Sequence, residues 1–402
     1  MIKAFRAKSV ISLMGESPAR TRAELEAPLA VLDGGVLVAD NERILAVESF
    51  AAFRRGPHSL CPVTDLGEVR IAPGLVNAHC HLELSHLAGT VPGSVGFAPW
   101  VRSLVAQAGR PVAPDTLMES IRAVLQEQVV GSGTVHVGDV GSRNPALVAQ
   151  AADQLCGITH FLEVLGSDRP ASAGRVPGEL AAEGYCPEAA ADLAPDRHPW
   201  CAVSGHALYS TDPEGLRAAF NWCRERRRPF SMHLAECAEE DDCLLHGKGD
   251  LYDMLHGRLL PPDWRHPGLR PVEQAESLGL LAPNTLAVHC VRCSPADVAI
   301  LARTRASVCL CPRSNRFIGV GLAPAALMAE QGVLLCLGTD SLASNDDIDM
   351  RREMRAAEEC WDFSDRAVLR MGTINAAHAL GLEHLGALAP GKAAVFSVYP
   401  ES

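Results

Sequence analysis

The stretch Ile71-Ala-Pro-Gly-Leu-Val-Asn-Ala-His79-Cys-His81 decides the fold. An apolar run ends in two histidines two residues apart, and strand side chains alternate faces, so both imidazoles point the same way and can grip one metal ion. Three more apolar runs end on polar residues of the same kind: Phe230-Ser-Met-His233-Leu-Ala-Glu236, Leu286-Ala-Val-His289 and Val333-Leu-Leu-Cys-Leu-Gly-Thr-Asp340. Histidines, one aspartate and one glutamate at the ends of separate strands form a metal-hydrolase constellation.

Four further segments read as strands: Thr134-Val-His-Val-Gly-Asp139, Ile158-Thr-His-Phe-Leu-Glu163-Val, Ala202-Val-Ser-Gly-His206 and Ser307-Val-Cys-Leu-Cys311. Helix-like stretches lie between them, and Asp212-Pro213 and Ser294-Pro295 read as an N-cap followed by proline in the first turn. About eight strand-then-helix units predict an α/β fold, a TIM-like (β/α)8 barrel with its chemistry at the C-terminal strand ends. A doubly wound open sheet has the same alternation, but ligands from the first, fifth, sixth and eighth strands converge more readily around a closed ring. Short strands in residues 1–68 and 383–402 predict a small β-sandwich formed by both chain ends, with residues 69–382 as the catalytic barrel.

The chain has 402 residues, 48% of them hydrophobic, enough for a large core, and a formal charge of 36 − 48 = −12. That balance argues against a nucleic-acid groove and an anionic membrane surface. No run of about 18 uncharged apolar residues and no signal-peptide pattern appears, so a cytoplasmic protein is expected. The 14 cysteines are scattered through apolar runs, as buried small hydrophobes in a reducing compartment would be. Cys290 and Cys293 form one CxxC beside His289, and a single pair is not a zinc knuckle.

The order HxH, His, His, Asp, with Ala72-Pro-Gly-Leu-Val-Asn-Ala-His79 and Gly338-Thr-Asp340-Ser, resembles the amidohydrolase superfamily over nearly the full length. His233-Leu-Ala-Glu236, His206-Ala-Leu-Tyr-Ser-Thr and Cys311-Pro-Arg-Ser-Asn315 resemble its aminohydrolases of purines, adenosine derivatives and triazines. The last phrase, with His81-Leu-Glu-Leu-Ser-His, looks most like the aminodeoxyfutalosine deaminases of menaquinone biosynthesis. The resemblance implies hydrolytic deamination of an adenine nucleoside derivative, with 6-amino-6-deoxyfutalosine the leading substrate. Alternatives are adenosine, methylthioadenosine, S-adenosylhomocysteine or guanine, dechlorination of a triazine, and a non-catalytic scaffold.

Binuclear members bridge two metals with a carbamylated lysine on the fourth strand, and this chain has no lysine between Lys8 and Lys248. One divalent ion is therefore expected, zinc or alternatively iron, held by His79, His81, His233 and Asp340. Glu163, near the end of the third strand, is the residue that would support a second ion. Asp340 is expected to shuttle the proton of the attacking water, His289 to orient that water, and Glu236 to protonate the ring nitrogen. Substrate contacts are expected from Glu83, Trp100, His206, Tyr209, Arg313 and Asn315, Arg313 through a bidentate fork to a carboxylate. Phe97 joins Trp100 as a candidate aromatic wall, and residues 237–271 are expected to form a mobile cover. A homodimer is one option for the oligomeric state, which the sequence does not set.

Overall fold

The computed structural model describes residues 1–141, 144–166 and 200–400. Eight parallel strands follow one another around a ring in chain order. They are Leu75–Cys80, Thr134–Gly141, Gly157–Val164, Trp200–Gly205, Phe230–Leu234, Thr285–His289, Ser307–Leu310 and Leu334–Leu337. The ring closes where the eighth strand's exit meets the first strand. Thr339 and Asp340 both donate their amides to the His79 carbonyl, at 3.0 and 3.1 Å. The Asn77 side chain bridges to Thr339 on both sides, donating to its hydroxyl at 2.7 Å and accepting from its amide at 3.1 Å. The fold is the TIM-like barrel that the alternation predicted.

Helices return between the strands, and their starts follow the local chemistry. Asp212 accepts from the Gly215 amide ahead of helix Pro213–Glu225, and Ser294 forms a capping box with Asp297 ahead of Pro295–Thr304. Alternation along the strands separates two cores. Val76, Phe161, Leu286, Val288 and Cys336 cluster together, whereas Val203, Phe230, Met232 and Leu335 pack with helix residues such as Leu216 and Val298. Every described cysteine is free, and Cys309, Cys311 and Cys336 are buried.

The two chain ends supply two four-stranded sheets. One holds Lys3–Arg6, Gly35–Ala39, Ile44–Ser49 and Val63–Asp65; the other holds Ser9–Ile11, Val31–Asp33, Val69–Pro73 and Phe396–Pro400. Leu37 and Ile44 of the first pack on Val10 and Ile71 of the second, face to face. The apolar run at residues 71–78, which reads as one strand, is in fact two. Val69–Pro73 pairs with Phe396–Pro400, and only after Gly74 does the first barrel strand begin. A Cβ on Gly74 would stand 2.4 Å from Val135 Cγ1, so the crossing between the two sheets requires glycine. Among the described residues, no helix is long and apolar enough to cross a membrane.

His136, on the second strand, is buried and faces the Thr159 hydroxyl at 2.9 Å. Burial lowers its pKa from 6.5 to about 3, helped by the charge of His384. The folded state refuses a proton that the unfolded chain accepts, so this stability is present above pH 6.5 and is lost as pH falls toward 3. Between neutrality and about pH 5 the group should cost about 2 kcal/mol. Urea unfolding of the protein and of His136→Gln at both pH values should show the variant losing less stability on acidification by that amount.

Candidate active site and metal centre

The strand ends deliver the side chains. His79 is the last residue but one of the first strand and His81 follows that strand directly, and the Asp139 carboxylate takes the Leu82 amide at 2.7 Å, fixing the backbone just beyond. The His79 ring lies 4.8 Å from His81, 5.1 Å from His233 and 5.9 Å from His289, centroid to centroid. Asp340 Oδ1 lies 3.5 Å from His81 Nε2 and 3.8 Å from His79 Nε2. Ligand atoms of His79, His81 and Asp340 fall within 4.8 Å of one another, as do those of His79, His233 and His289. His79 belongs to both triads, so the four expected ligands surround one region, with His233 nearer the His289 side. A third triad joins Glu163, His206 and His233.

These residues fit a divalent cation. Both nitrogens of His79 are buried and have no hydrogen-bond partner, an arrangement that costs free energy unless something else meets them. His233 Nδ1 faces the His206 carbonyl at 3.0 Å, and His289 Nδ1 faces Asn315 Oδ1 at 2.9 Å. Each acceptor holds the proton on Nδ1 and leaves the Nε2 lone pair free toward the centre. Burial, then neighbouring imidazoles, keep His79 and His233 well below the usual histidine range, and burial also lowers His289. Burial opposes the charge on Asp340, but His81, His289, His79 and the Ser314 hydroxyl outweigh it and hold the carboxyl down at about 2. Asp340 Oδ2 accepts from Ser314 at 2.6 Å and Ser344 at 2.8 Å, and Oδ1 accepts from the Ser341 amide at 2.8 Å.

Glu236 has the opposite electrostatics. Burial first, then the neighbouring carboxyl groups of Asp340, Glu240 and Glu239, push its carboxyl well above the usual range. Its Oε1 lies 3.7 Å from His289 Nε2. One carboxyl shifted up and one shifted down thus share the site, which is the arrangement acid–base chemistry needs. Ala235, His289, Cys290 and Asp340 all have left-handed φ, between 49° and 73°. Such strain in non-glycine residues gathers where geometry serves function.

A cavity of about 1110 Å³ opens over these groups. Its walls include His81, Glu83, Trp100, Glu163, His206, Tyr209, His233, Glu236, His289 and Asp340. Trp100 donates to the Ala343 carbonyl at 3.0 Å, tying helix Phe97–Ala108 to the loop after Asp340. Tyr209 stands edge-on to both Phe97 and His206. His206 Nδ1 is bound by the Ser210 hydroxyl at 2.5 Å. Glu163 Oε1 is buried with no partner.

Two of the expected substrate contacts lie elsewhere. Arg313 does not line the cavity; its fork is spent on Asp347, at 2.6 and 3.0 Å, and its backbone amide donates to Glu353. Asn315 is fully buried and turned to His289. The 237–271 stretch contains helices Ala238–His246 and Asp250–Leu255, of which Leu251, Met254 and Leu255 wall the cavity. Sequence reading missed the serines that hold Asp340. Ser314 sat inside the phrase Cys311-Pro-Arg-Ser-Asn315, whereas Ser344 carried no signal.

A model of the Amidohydrolase family matches residues 70–400. The 5-methylthioadenosine/S-adenosylhomocysteine deaminase of Nitratidesulfovibrio vulgaris is 29% identical over 381 residues, covering 90% of this chain and 78% of its own. The Helicobacter pylori aminofutalosine deaminase, solved with methylthio-coformycin, superposes with a TM-score of 0.81 at 19% identity, over all of this chain and 92% of that one. A zinc-bound adenosine deaminase from Xanthomonas campestris gives 0.77 at 21% identity, over 99% and 84%. Both superpositions report a shared fold. The chain belongs to the amidohydrolase family and is an enzyme of its aminohydrolase branch, whose hydrolytic deaminases it matches along nine-tenths of its length.

Proposed function

We propose that this enzyme deaminates an adenine nucleoside substituted on its ribose, using one divalent metal ion, zinc. The observation that carries the reading is the gathering of His79, His81, His233 and Asp340 around one region, with the Glu236 carboxyl 3.7 Å from His289 in the wall of the same cavity. Held by His79, His81, His233 and Asp340, the metal would supply Lewis acidity that brings the pKa of water from 15.7 to about 7.

The chain's own groups then divide the proton work. His289, fixed by Asn315, presents Nε2 as an acceptor that orients the attacking water. Asp340 takes one proton from that water as its oxygen bonds to the ring carbon. Glu236 gives its proton to the adjacent ring nitrogen, making that carbon electrophilic. Asp340 passes its proton to the exocyclic amine, the C–N bond breaks and ammonia leaves. The remaining hydroxyl proton returns to Glu236, and the ring carbonyl forms.

Glu83, Trp100, His206 and Tyr209 are proposed to hold the nucleoside, Glu83 through ribose hydroxyls. The cavity, at about 1110 Å³, is large for a bare nucleoside and leaves room for a ribose substituent. The leading substrate remains 6-amino-6-deoxyfutalosine, which would place the enzyme in menaquinone biosynthesis. Its carboxylate would fall to Arg102, Arg110 or Arg258 in the cavity wall, since Arg313 is engaged by Asp347. A methylthio or homocysteinyl substituent is the second reading, favoured by the likeness to a deaminase of such nucleosides.

Ammonia release and the ultraviolet shift from adenine to hypoxanthine, measured across a panel of ribose-substituted adenosines, test the activity. Turnover of at least one member is expected; an inert panel with metal bound contradicts the reading. Glu236→Gln should lower kcat by about 10² to 10⁴ on the best substrate, and near-normal turnover would exclude Glu236 as the acid. Removing the metal with a chelator should abolish activity, and one equivalent of zinc per chain should restore it. Restoration that needs two equivalents would assign a second ion, with Glu163 as its natural ligand.

A further inference from the structure

Glu236 stands on a turn that the backbone does not favour by itself. Ala235 is left-handed at φ 52°, and so are His289 and Cys290 on the adjoining strand end, at 73° and 49°. Two backbone bonds join these ends: the Cys290 amide to the Leu234 carbonyl at 3.0 Å, and the Arg292 amide to the Ala235 carbonyl at 2.8 Å. The Glu236 amide goes elsewhere. It donates to Glu240 Oε2 at 2.8 Å, and the Ala235 amide bonds to the same carboxyl.

Glu240 is the third residue of helix Ala238–His246, whose N-cap, Cys237, offers no side-chain cap. Unlike an ordinary capping carboxylate it is 1% exposed, and its Oε1 is buried without a partner. The nearby guanidinium groups of Arg270 and Arg292 pair with its neighbour Asp241 instead. An exposed serine at the N-cap could finish the helix without burying an acid. The burial has a purpose if the important amide is the one Glu240 holds.

We propose that Glu240 is a positioning residue for the deamination: its carboxyl fixes the Ala235–Glu236 backbone and thereby keeps the Glu236 side chain aimed at His289 and the cavity. The inference rests on the reading of Glu236 as proton donor. Burial raises the Glu240 carboxyl to about 8 against the lowering effect of the two amides, so near neutrality it is largely protonated and acts through its carbonyl oxygen. A glutamine carbonyl can do the same.

The test compares Glu240→Ala and Glu240→Gln in the metal-loaded enzyme, with kcat, KM, metal content and thermal unfolding measured for each. Glu240→Ala should lower kcat by about 10²-fold, with KM and metal content close to wild type, and Glu240→Gln should recover most of the rate. In a Glu236→Gln background, Glu240→Ala should cost nothing more, because the group it aims is already gone. If Glu240→Ala does not fold, Glu240→Asp takes its place, since it keeps a helix-compatible acid but draws the acceptor back. Normal kcat in the Ala or Asp variant, a loss matched by loss of metal or by a rise in KM, or an undiminished cost in the Glu236→Gln background would each overturn the proposal. A fully active Glu236→Gln would instead sink the proton-donor reading, so the two failures are distinguishable.

Discussion

The His79 carbonyl, receiving the amides of Thr339 and Asp340, is the contact on which the site depends. It closes the barrel, and in closing it carries the one carboxylate of the eighth strand to within 4 Å of the two imidazoles of the first. Asn77, buried two residues earlier, adds its own pair of bonds to Thr339 and fixes the register of that seam. Slippage there would separate Asp340 from His81 and leave the nitrogens of His79 facing nothing.

A site of this kind works against ordinary packing. Several neutral imidazoles and an ionised carboxylate are buried together, and left-handed residues at Ala235, His289, Cys290 and Asp340 each cost about 1 kcal/mol or more. The compensation is local and specific. Two serine hydroxyls and an amide hold Asp340 charged, while a carbonyl and an asparagine hold His233 and His289 neutral with a free nitrogen. Glu236, only three residues after His233, is buried beside Asp340, and burial first and that neighbour next push its carboxyl well above the usual range. The same buried environment therefore moves two carboxyl groups in opposite directions.

Much of this was legible in the sequence because strand alternation is a strict rule. HxH, His233, His289 and Asp340 were identifiable as convergent once each was placed at the end of an apolar run, and the family resemblance agreed with that placement. What stayed hidden depends on contacts between distant residues. Arg313 reads as a free fork until Asp347, 34 residues on, is seen to occupy it. Asn315 reads as a substrate contact until its carbonyl is found on His289. The break at Gly74 is invisible inside a continuous apolar run, because only Val135 across the sheet boundary demands it. Glu240 lies in the acidic run Glu239–Asp242, which looks like a solvated helix face although Glu240 itself is buried.

The central claim is one cation at the barrel mouth, shared by the first, fifth and eighth strands. A crystal of the zinc-loaded enzyme, with anomalous data collected at the zinc edge, tests it most directly. The account predicts a single strong peak at about 2.0 to 2.2 Å from Nε2 of His79, His81 and His233 and from a carboxylate oxygen of Asp340. No peak at that point, or a peak seated between Glu163 and His206 instead, would contradict it.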